Sequence, residues 1–215
     1  MISRYDKLIE TACVTTSVKF SVAKAFVEVV SNYDPFLYEV DAKAWPQVVT
    51  HKEDWLRLFL THFVNTLGPG FVPGDSELQS LYCAYYGLTK IRYDRIHLKL
   101  GFGDHPMTLL MDPAKNLFIG LSHLAQLIKL FPDFNPQTAW KLAIVAYFTD
   151  PARVINVASH MKNTLSDQRN QPAILDSELR KEFGAGSEPI ITMLAKFTIL
   201  RDTYLRQELS VMGMS

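Results

Sequence analysis

The feature that most limits how this chain can fold is a set of helix-start signals. Asp112-Pro113, Asn135-Pro136 and Asp150-Pro151 each place a capping side chain directly before a proline. Asp and Asn side chains accept hydrogen bonds from the free N–H groups of a first helical turn, and proline at the first helical position loses no bond. Apolar residues follow each pair at intervals of three or four, which is the spacing of one helix face. The pattern therefore predicts three helices, each with a buried side.

Similar signals predict helices along most of the remaining chain. They fall at residues 2–13 and 18–31, behind the capping-box pair Thr50 and Glu53, from Ser177 to about Gly184, and from Ser187 onward. Hydrophobic residues make up 48% of the 215 residues, which is enough to bury a substantial core beneath these helices. The predicted fold is mainly all-α: a compact helical domain of about eight to ten helices.

One aromatic segment, residues 33–40, is predicted to be extended instead. Pro35 disfavours a helical conformation at Asp34, and this ends the preceding helix. Phe36, Tyr38 and Val40 then occupy alternate positions, as they would along a strand. Such a segment could fold back over the helices or contact a partner, and the sequence does not decide between these two arrangements.

The segment from Ile91 to Leu100 fits two structures. Apolar residues in its second half alternate with polar ones, which indicates a strand. The same residues also continue a helix that begins at Ser76, with Leu88, Ile91 and Arg95 on neighbouring turns. We favour the helix, because a lone strand would find no partner elsewhere in the predicted fold.

The chain is predicted to form a single domain over residues 1–215. Glycine and proline cluster in the loop at residues 68–75, which is the best candidate for a hinge. This loop would join a smaller N-terminal lobe, residues 1–68, to a larger lobe, residues 76–215. We do not predict a domain boundary there, because the first lobe is too short to bury its own apolar faces.

The residues predict no catalytic, cofactor-binding or metal-binding site. The six histidines show no HExxH or comparable spacing, and no CxxC pair is present. Cys13 and Cys83 lie among apolar residues and are predicted to be buried thiols in a reducing cytoplasm. Apolar runs are too short for a secretory signal or a membrane span, which predicts a cytoplasmic location.

Two rival functions remain open. Lys+Arg and Asp+Glu total 22 each, and a net charge of zero argues against a general nucleic-acid binder. A basic cluster is formed by Lys90, Arg92, Arg95 and Lys99. In a regulatory protein it could bind nucleic acid or another acidic partner, and it could equally be a solvated helix face. A helical enzyme would need Cys83 or His105 as its reactive group, although a buried thiol and a connecting turn explain these residues more simply.

The chain resembles a known family in three short blocks. Tyr33-Asp34-Pro35-Phe36-Leu37-Tyr38, followed by Trp45-Pro46, is similar to a motif near the N-terminus of the SctK family, which includes the OrgA, MxiK and YscK proteins. Leu78 through Arg95 resembles the central helix of the family, in which a Leu-rich run meets a glycine and then a basic stretch. Gly120-Leu121 and Trp140-Lys141-Leu142 are similar to a later part of the family pattern.

The resemblance implies a non-enzymatic scaffold of bacterial type III secretion systems. SctK proteins are all-helical and cytosolic, and they link the cytosolic domain of the inner-membrane ring protein to the pod protein of the sorting platform. The resemblance implies no cofactor and no nucleic-acid partner. Association with the membrane would be indirect, through the inner-membrane secretion apparatus.

Two partner contacts are predicted from aromatic content and charge, since exposed aromatic side chains are favoured interface anchors. One contact lies on the extended segment, at Tyr33, Asp34, Pro35, Phe36 and Tyr38. The other lies on the predicted central helix, at Tyr82, Tyr86, Arg92 and Arg95. The sequence does not indicate which contact would meet which partner.

Overall fold

The computed structural model describes residues 3–63, 71–95, 106–164 and 168–213. The structure is 74% helical with very little strand, which confirms the mainly all-α prediction. The chain forms two compact units, and each is discontinuous in sequence. The first unit contains Met1–Leu8 and Val30–Gly120, and the second contains Ile9–Val29 and Leu121–Ser215. The loop predicted at residues 68–75 lies within the first unit, so the division does not follow the predicted lobes.

The helices, in chain order, are α1 (Asp6–Thr16), α2 (Phe20–Ser31), α3 (Trp45–Val48), α4 (Lys52–Phe63), α5 (Asp75–Tyr82), α6 (Pro106–Leu110), α7 (Pro113–Ile128), α8 (Pro136–Phe148), α9 (Pro151–Lys162), α10 (Pro172–Phe183) and α11 (Ser187–Val211). Within the described residues, three short strands form one antiparallel sheet in the order β1-β2-β3: β1 (Tyr38–Val40), β2 (Ala84–Tyr86) and β3 (Ile91–Arg92). Single 3-10 turns precede α3, α4 and α11. None of the described helices is both long enough and apolar enough to cross a membrane.

The three predicted helix starts are confirmed, and side-chain caps hold them. The Asp112 carboxylate accepts from the N–H of Lys115 (2.9 Å), and the Asn135 amide oxygen accepts from the N–H of Thr138 (2.8 Å). Asp150 accepts from the N–H two residues later (2.9 Å). These bonds satisfy donors that a first helical turn otherwise leaves free. Other starts differ from their predictions: α1 begins at Asp6 rather than at residue 2, and α10 begins at a proline, five residues before Ser177.

The helix predicted from Ser76 to Arg95 is wrong across its middle. The helical part ends at Tyr82, and β2 then pairs with β1, placing Tyr86 opposite Tyr38. A turn with a left-handed φ at Gly87 (+62°) reverses the chain into β3. The strand judged to lack a partner therefore has one, because β2 comes from the same predicted helix. Residues 96–100 of the ambiguous segment lie outside the described residues.

The first unit has an aromatic core between α4 and α5. Trp55 stacks on Tyr82 with ring centroids 4.9 Å apart, and the Tyr82 ring lies 5.6 Å from that of Tyr93. The indole N–H of Trp55 donates to the carbonyl of Val48 (2.9 Å), so the one polar atom of this buried ring has an acceptor. The three rings are fully buried.

Asn116 on α7 connects the β2–β3 turn to the helices of the first unit. Its amide oxygen accepts from both the N–H and the hydroxyl of Thr89, each at 2.8 Å. Its amide nitrogen donates to the carbonyls of Tyr86 and Leu110, each at 2.9 Å. The turn packs so closely here that a Cβ on Gly87 would lie 2.8 Å from the Leu110 carbonyl oxygen. One buried amide thus satisfies the polar groups of a turn that cannot reach water.

The second unit is built around α8, in which residues 142–147 are all buried. Phe26 of α2 meets Tyr147 edge-on, with ring centroids 5.0 Å apart. The Phe148 ring centroid lies 6.2 Å from that of Phe26. The ammonium of Lys24 lies 4.6 Å from the centroid of the Tyr204 ring, which joins α2 to α11. Helices from both ends of the sequence therefore share one core.

Candidate docking surface

The extended segment predicted at residues 33–40 is present, and its aromatic side chains differ in exposure. Phe36 is 71% exposed and Tyr38 is 46% exposed. Asp34 is also exposed, whereas Tyr33 is half-buried and Pro35 is buried. Tyr33 has a left-handed φ (+62°), which turns the chain out of α2, and the Asp34 carboxylate accepts from the N–H of Phe36 (2.9 Å). The segment is thus a tight turn that leads directly into β1.

A row of apolar side chains lies along the outer strand of the sheet. β1 is at one end of the strand order. Tyr38 and Val40 lie in β1, and Phe36 lies two residues before Tyr38, so the three occupy alternate positions. The three side chains are exposed by 71%, 46% and 40%. We call these three residues the edge row. Sequence reasoning missed Val40 as a candidate, although its alternation with the two aromatic residues was visible.

The edge row rests on a rigid base. The Tyr38 hydroxyl donates to the carbonyl of Ser80 (2.7 Å), and its ring meets Tyr86 edge-on at 5.6 Å. Tyr86 is fully buried, and its own hydroxyl donates to the carbonyl of Leu81 (2.6 Å). Burial raises the pKa of the Tyr86 phenol, so this hydroxyl remains protonated as a donor. The exposed aromatic side chain is therefore held by the core beneath it.

The second predicted contact does not form an exposed surface. Tyr82 and Tyr86 are fully buried, and Arg92 is only 4% exposed, because these residues belong to the aromatic core and the sheet rather than to one solvated helix. Arg95 is half-buried. The expectation that aromatic exposure would place a contact here is therefore corrected. Of the predicted residues, Asp34, Phe36 and Tyr38 are the exposed ones.

Arg92 is the centre of a buried ion network. Its Nε and Nη2 donate to the two carboxylate oxygens of Asp94, at 2.6 and 2.9 Å, and its Nη1 donates to Asp41 (2.8 Å). The Tyr85 hydroxyl also donates to Asp41 (3.3 Å). Although burial lowers the pKa of Arg92, the hydrogen bonds and charge of Asp94 outweigh it and raise this pKa overall. Asp41 and Asp94 carried no sequence signal of this role.

Two members of the basic cluster, which had left a nucleic-acid partner open, are paired with carboxylates. Lys90 pairs with Glu39 at 2.6 Å, and Arg92 is occupied by Asp94 and Asp41. Lys99 lies outside the described residues. Phosphate recognition needs cations that can approach the ligand, and these two cations are already paired with carboxylates.

Neither cysteine has the environment of a nucleophile. Cys13 and Cys83 are buried. Burial, reinforced by nearby carboxylates, raises the pKa of each thiol to about 12. A reactive thiol needs a lowered pKa and access to solvent. His105, the other residue proposed for an enzyme, lies outside the described residues.

We expect both thiols to resist alkylation in the folded protein. At pH 8, iodoacetamide should modify neither Cys13 nor Cys83 on a timescale that labels free cysteine completely, because almost no thiolate forms at a pKa of about 12. Mass spectrometry before and after denaturation would measure this, with two labels added only in denaturant. Rapid native labelling of Cys83 would revive the enzyme hypothesis.

The described chain is, by class, a mainly helical protein of two units, each made of two separate stretches of sequence. A small sheet in the first unit presents the apolar edge row. Among the residues that the structure describes, no group of three or more His, Cys, Asp or Glu side chains could hold a metal ion. No protein-family model, curated protein or solved structure matches the chain.

Proposed function

We propose that this protein is a non-enzymatic adaptor that docks other proteins through the edge row. The observation that carries the proposal is the exposure of Phe36, Tyr38 and Val40 in and just before β1, where the Tyr38 ring contacts the buried Tyr86 ring. Interface hot spots are typically aromatic side chains presented on a pre-organised base, because little conformational entropy is then lost on binding. A partner would cover apolar surface that water now contacts.

The proposed setting is the sorting platform of a type III secretion system. The resemblance to the SctK family is carried by the same segment, Tyr33 to Tyr38. The proposed partners are the pod protein and the cytosolic domain of the inner-membrane ring protein. In this setting the protein would work in the cytoplasm beneath the secretion apparatus and would link its partners without chemistry.

The test replaces the more exposed of the two aromatic residues in the edge row. Phe36→Ser should reduce retention of the pod protein or of the ring protein by about tenfold or more in co-purification from the native bacterium, since loss of one aromatic hot spot commonly costs that much. The thermal midpoint should not change, because Phe36 is 71% exposed. Quantitative mass spectrometry of the retained proteins measures the effect.

The matched control is Ile199→Gln on α11, where an apolar side chain is 67% exposed in the other unit. This variant should retain partners as the wild type does. Wild-type protein that retains neither proposed partner would contradict the secretion setting. Undiminished retention by a folded Phe36→Ser variant would contradict the edge row as the docking site.

A further inference from the structure

A cavity in the second unit has the chemistry of an anion site. Its volume is about 420 Å³, within the range of small-molecule pockets. Lys19, Arg201 and Trp140 line it, together with Asn135 and Gln137 at the start of α8. All of these residues belong to the second unit.

Arg201 in the cavity wall is largely buried, which is rare for an arginine. It is only 6% exposed, and its Nη2 pairs with Asp202 at 2.7 Å. Its Nε is buried and has no hydrogen-bond partner among the residues that the structure describes. A buried guanidinium with a donor unused is costly unless an acceptor completes it. Arg201 thus places a largely buried positive charge in the cavity wall, with one donor that the described residues leave unpaired.

Lys19 brings a second positive charge to the same wall. Its ammonium lies 5.8 Å from the centroid of the Trp140 ring, and the guanidinium carbon of Arg201 lies 5.6 Å from that centroid. No ion pair of Lys19 is present among the described residues. Both cations line the same cavity, so an anion bound there would be attracted to each of them.

The start of α8 adds positive potential from the backbone. Asn135 caps this 13-residue helix, and Gln137 in its first turn lines the cavity. The N-terminal end of a helix carries a partial positive charge, which favours bound anions. Nearby, burial lowers the pKa of Lys141, the Asp176 carboxylate raises it, and the charge of Arg201 lowers it. Asp176 and Asp202 are acidic residues that oppose the positive field, and the Asp202 carboxylate already pairs with Arg201.

We propose that this cavity binds the phosphate group of a small organic molecule. A guanidinium, an ammonium and a helix N-terminus are the groups that proteins combine around phosphate. The cavity is larger than inorganic phosphate alone, and the Trp140 ring supplies an apolar wall for an organic body. The site is separate from the edge row and does not depend on the adaptor function.

The test is a titration of the intact protein with phenyl phosphate, monitored by tryptophan fluorescence and calorimetry. Phenyl phosphate should bind more tightly than inorganic phosphate, and sodium benzoate at equal ionic strength should bind more weakly than both phosphates. Arg201→Gln and Lys19→Gln should each weaken phenyl phosphate binding by about tenfold, the usual loss for one charge-assisted contact. Lys19 is exposed, so its variant remains informative if Arg201→Gln fails to fold.

Arg206→Gln is the matched control, because Arg206 is an exposed arginine on the same helix. Its affinity for phenyl phosphate should equal that of the wild type. Wild-type protein that binds no phosphate probe would overturn the proposal. Folded Lys19→Gln and Arg201→Gln variants that both bind normally would also overturn it, as would equal losses in Arg206→Gln.

A further arm separates a soluble ligand from a lipid headgroup. Flotation with phosphatidylcholine vesicles, with and without phosphatidic acid, reports headgroup binding. The proposal expects phenyl phosphate to bind in solution and the protein to stay unbound to both vesicles. Flotation that requires phosphatidic acid and is lost in Lys19→Gln, with no binding of free phenyl phosphate, would contradict the small-molecule ligand.

Discussion

Replacing Asn116 with alanine should lower the free energy of unfolding by about 3–5 kcal/mol, because several buried polar groups lose a hydrogen-bond partner. Asn116 is fully buried and bonds the N–H and hydroxyl of Thr89 and the carbonyls of Tyr86 and Leu110. Each unsatisfied buried group costs about 1–3 kcal/mol. Total stabilities are about 5–15 kcal/mol, so the variant should be close to unfolding. Urea titration followed by circular dichroism measures the loss.

Asn156→Ala provides the control for this experiment. Asn156 is exposed in the interior of α9, where alanine is the better helix former. This substitution should leave the stability unchanged or raise it slightly. A loss for Asn116→Ala no larger than that for Asn156→Ala would show that the β2–β3 turn does not need this amide.

Replacing Arg92 with methionine should also destabilise the protein by about 3–5 kcal/mol, because it leaves buried carboxylates without their cation. Asp94 is 5% exposed and takes two hydrogen bonds from Arg92, and Asp41 takes a third. Methionine keeps much of the side-chain volume, so the measured loss reports the charge rather than a cavity. Chemical denaturation at neutral pH measures it.

A double variant makes the Arg92 prediction specific. Removing both charges, as in Arg92→Met with Asp94→Asn, should cost less than removing Arg92 alone, because the uncompensated carboxylate is then gone. Arg57→Met is the surface control, since the Arg57 side chain is 79% exposed and its contact with Asp54 is long, at 3.8 Å. An additive double variant would contradict the ion network as the source of the loss.

The parts of the fold that the sequence predicted are those decided by neighbouring residues. Asp112, Asn135 and Asp150 cap helices through bonds to donors two or three residues away, so a short stretch of sequence contains the whole interaction. The turn before Phe36 is equally local, because Asp34 bonds across it.

The errors arose where partners are distant in the sequence. The partner of β2 is β1, so helical spacing between Leu78 and Arg95 gave no sign that the helix ends at Tyr82. Arg92 resembled a surface cation because Asp41, one of its two partners, is 51 positions away. Lys19 and Arg201 meet at one ring only through tertiary structure.

The interleaving of the two units sets an order of events during synthesis. Residues 9–29 leave the ribosome early, yet the remainder of their unit begins only at residue 121. Translation proceeds at about 5–20 residues per second, so α2 waits for several seconds before Tyr147 can cover Phe26. During that interval the growing chain presents an apolar helix without its core. We therefore expect the nascent protein to rely on ribosome-associated chaperones until the second unit has been synthesised far enough to fold.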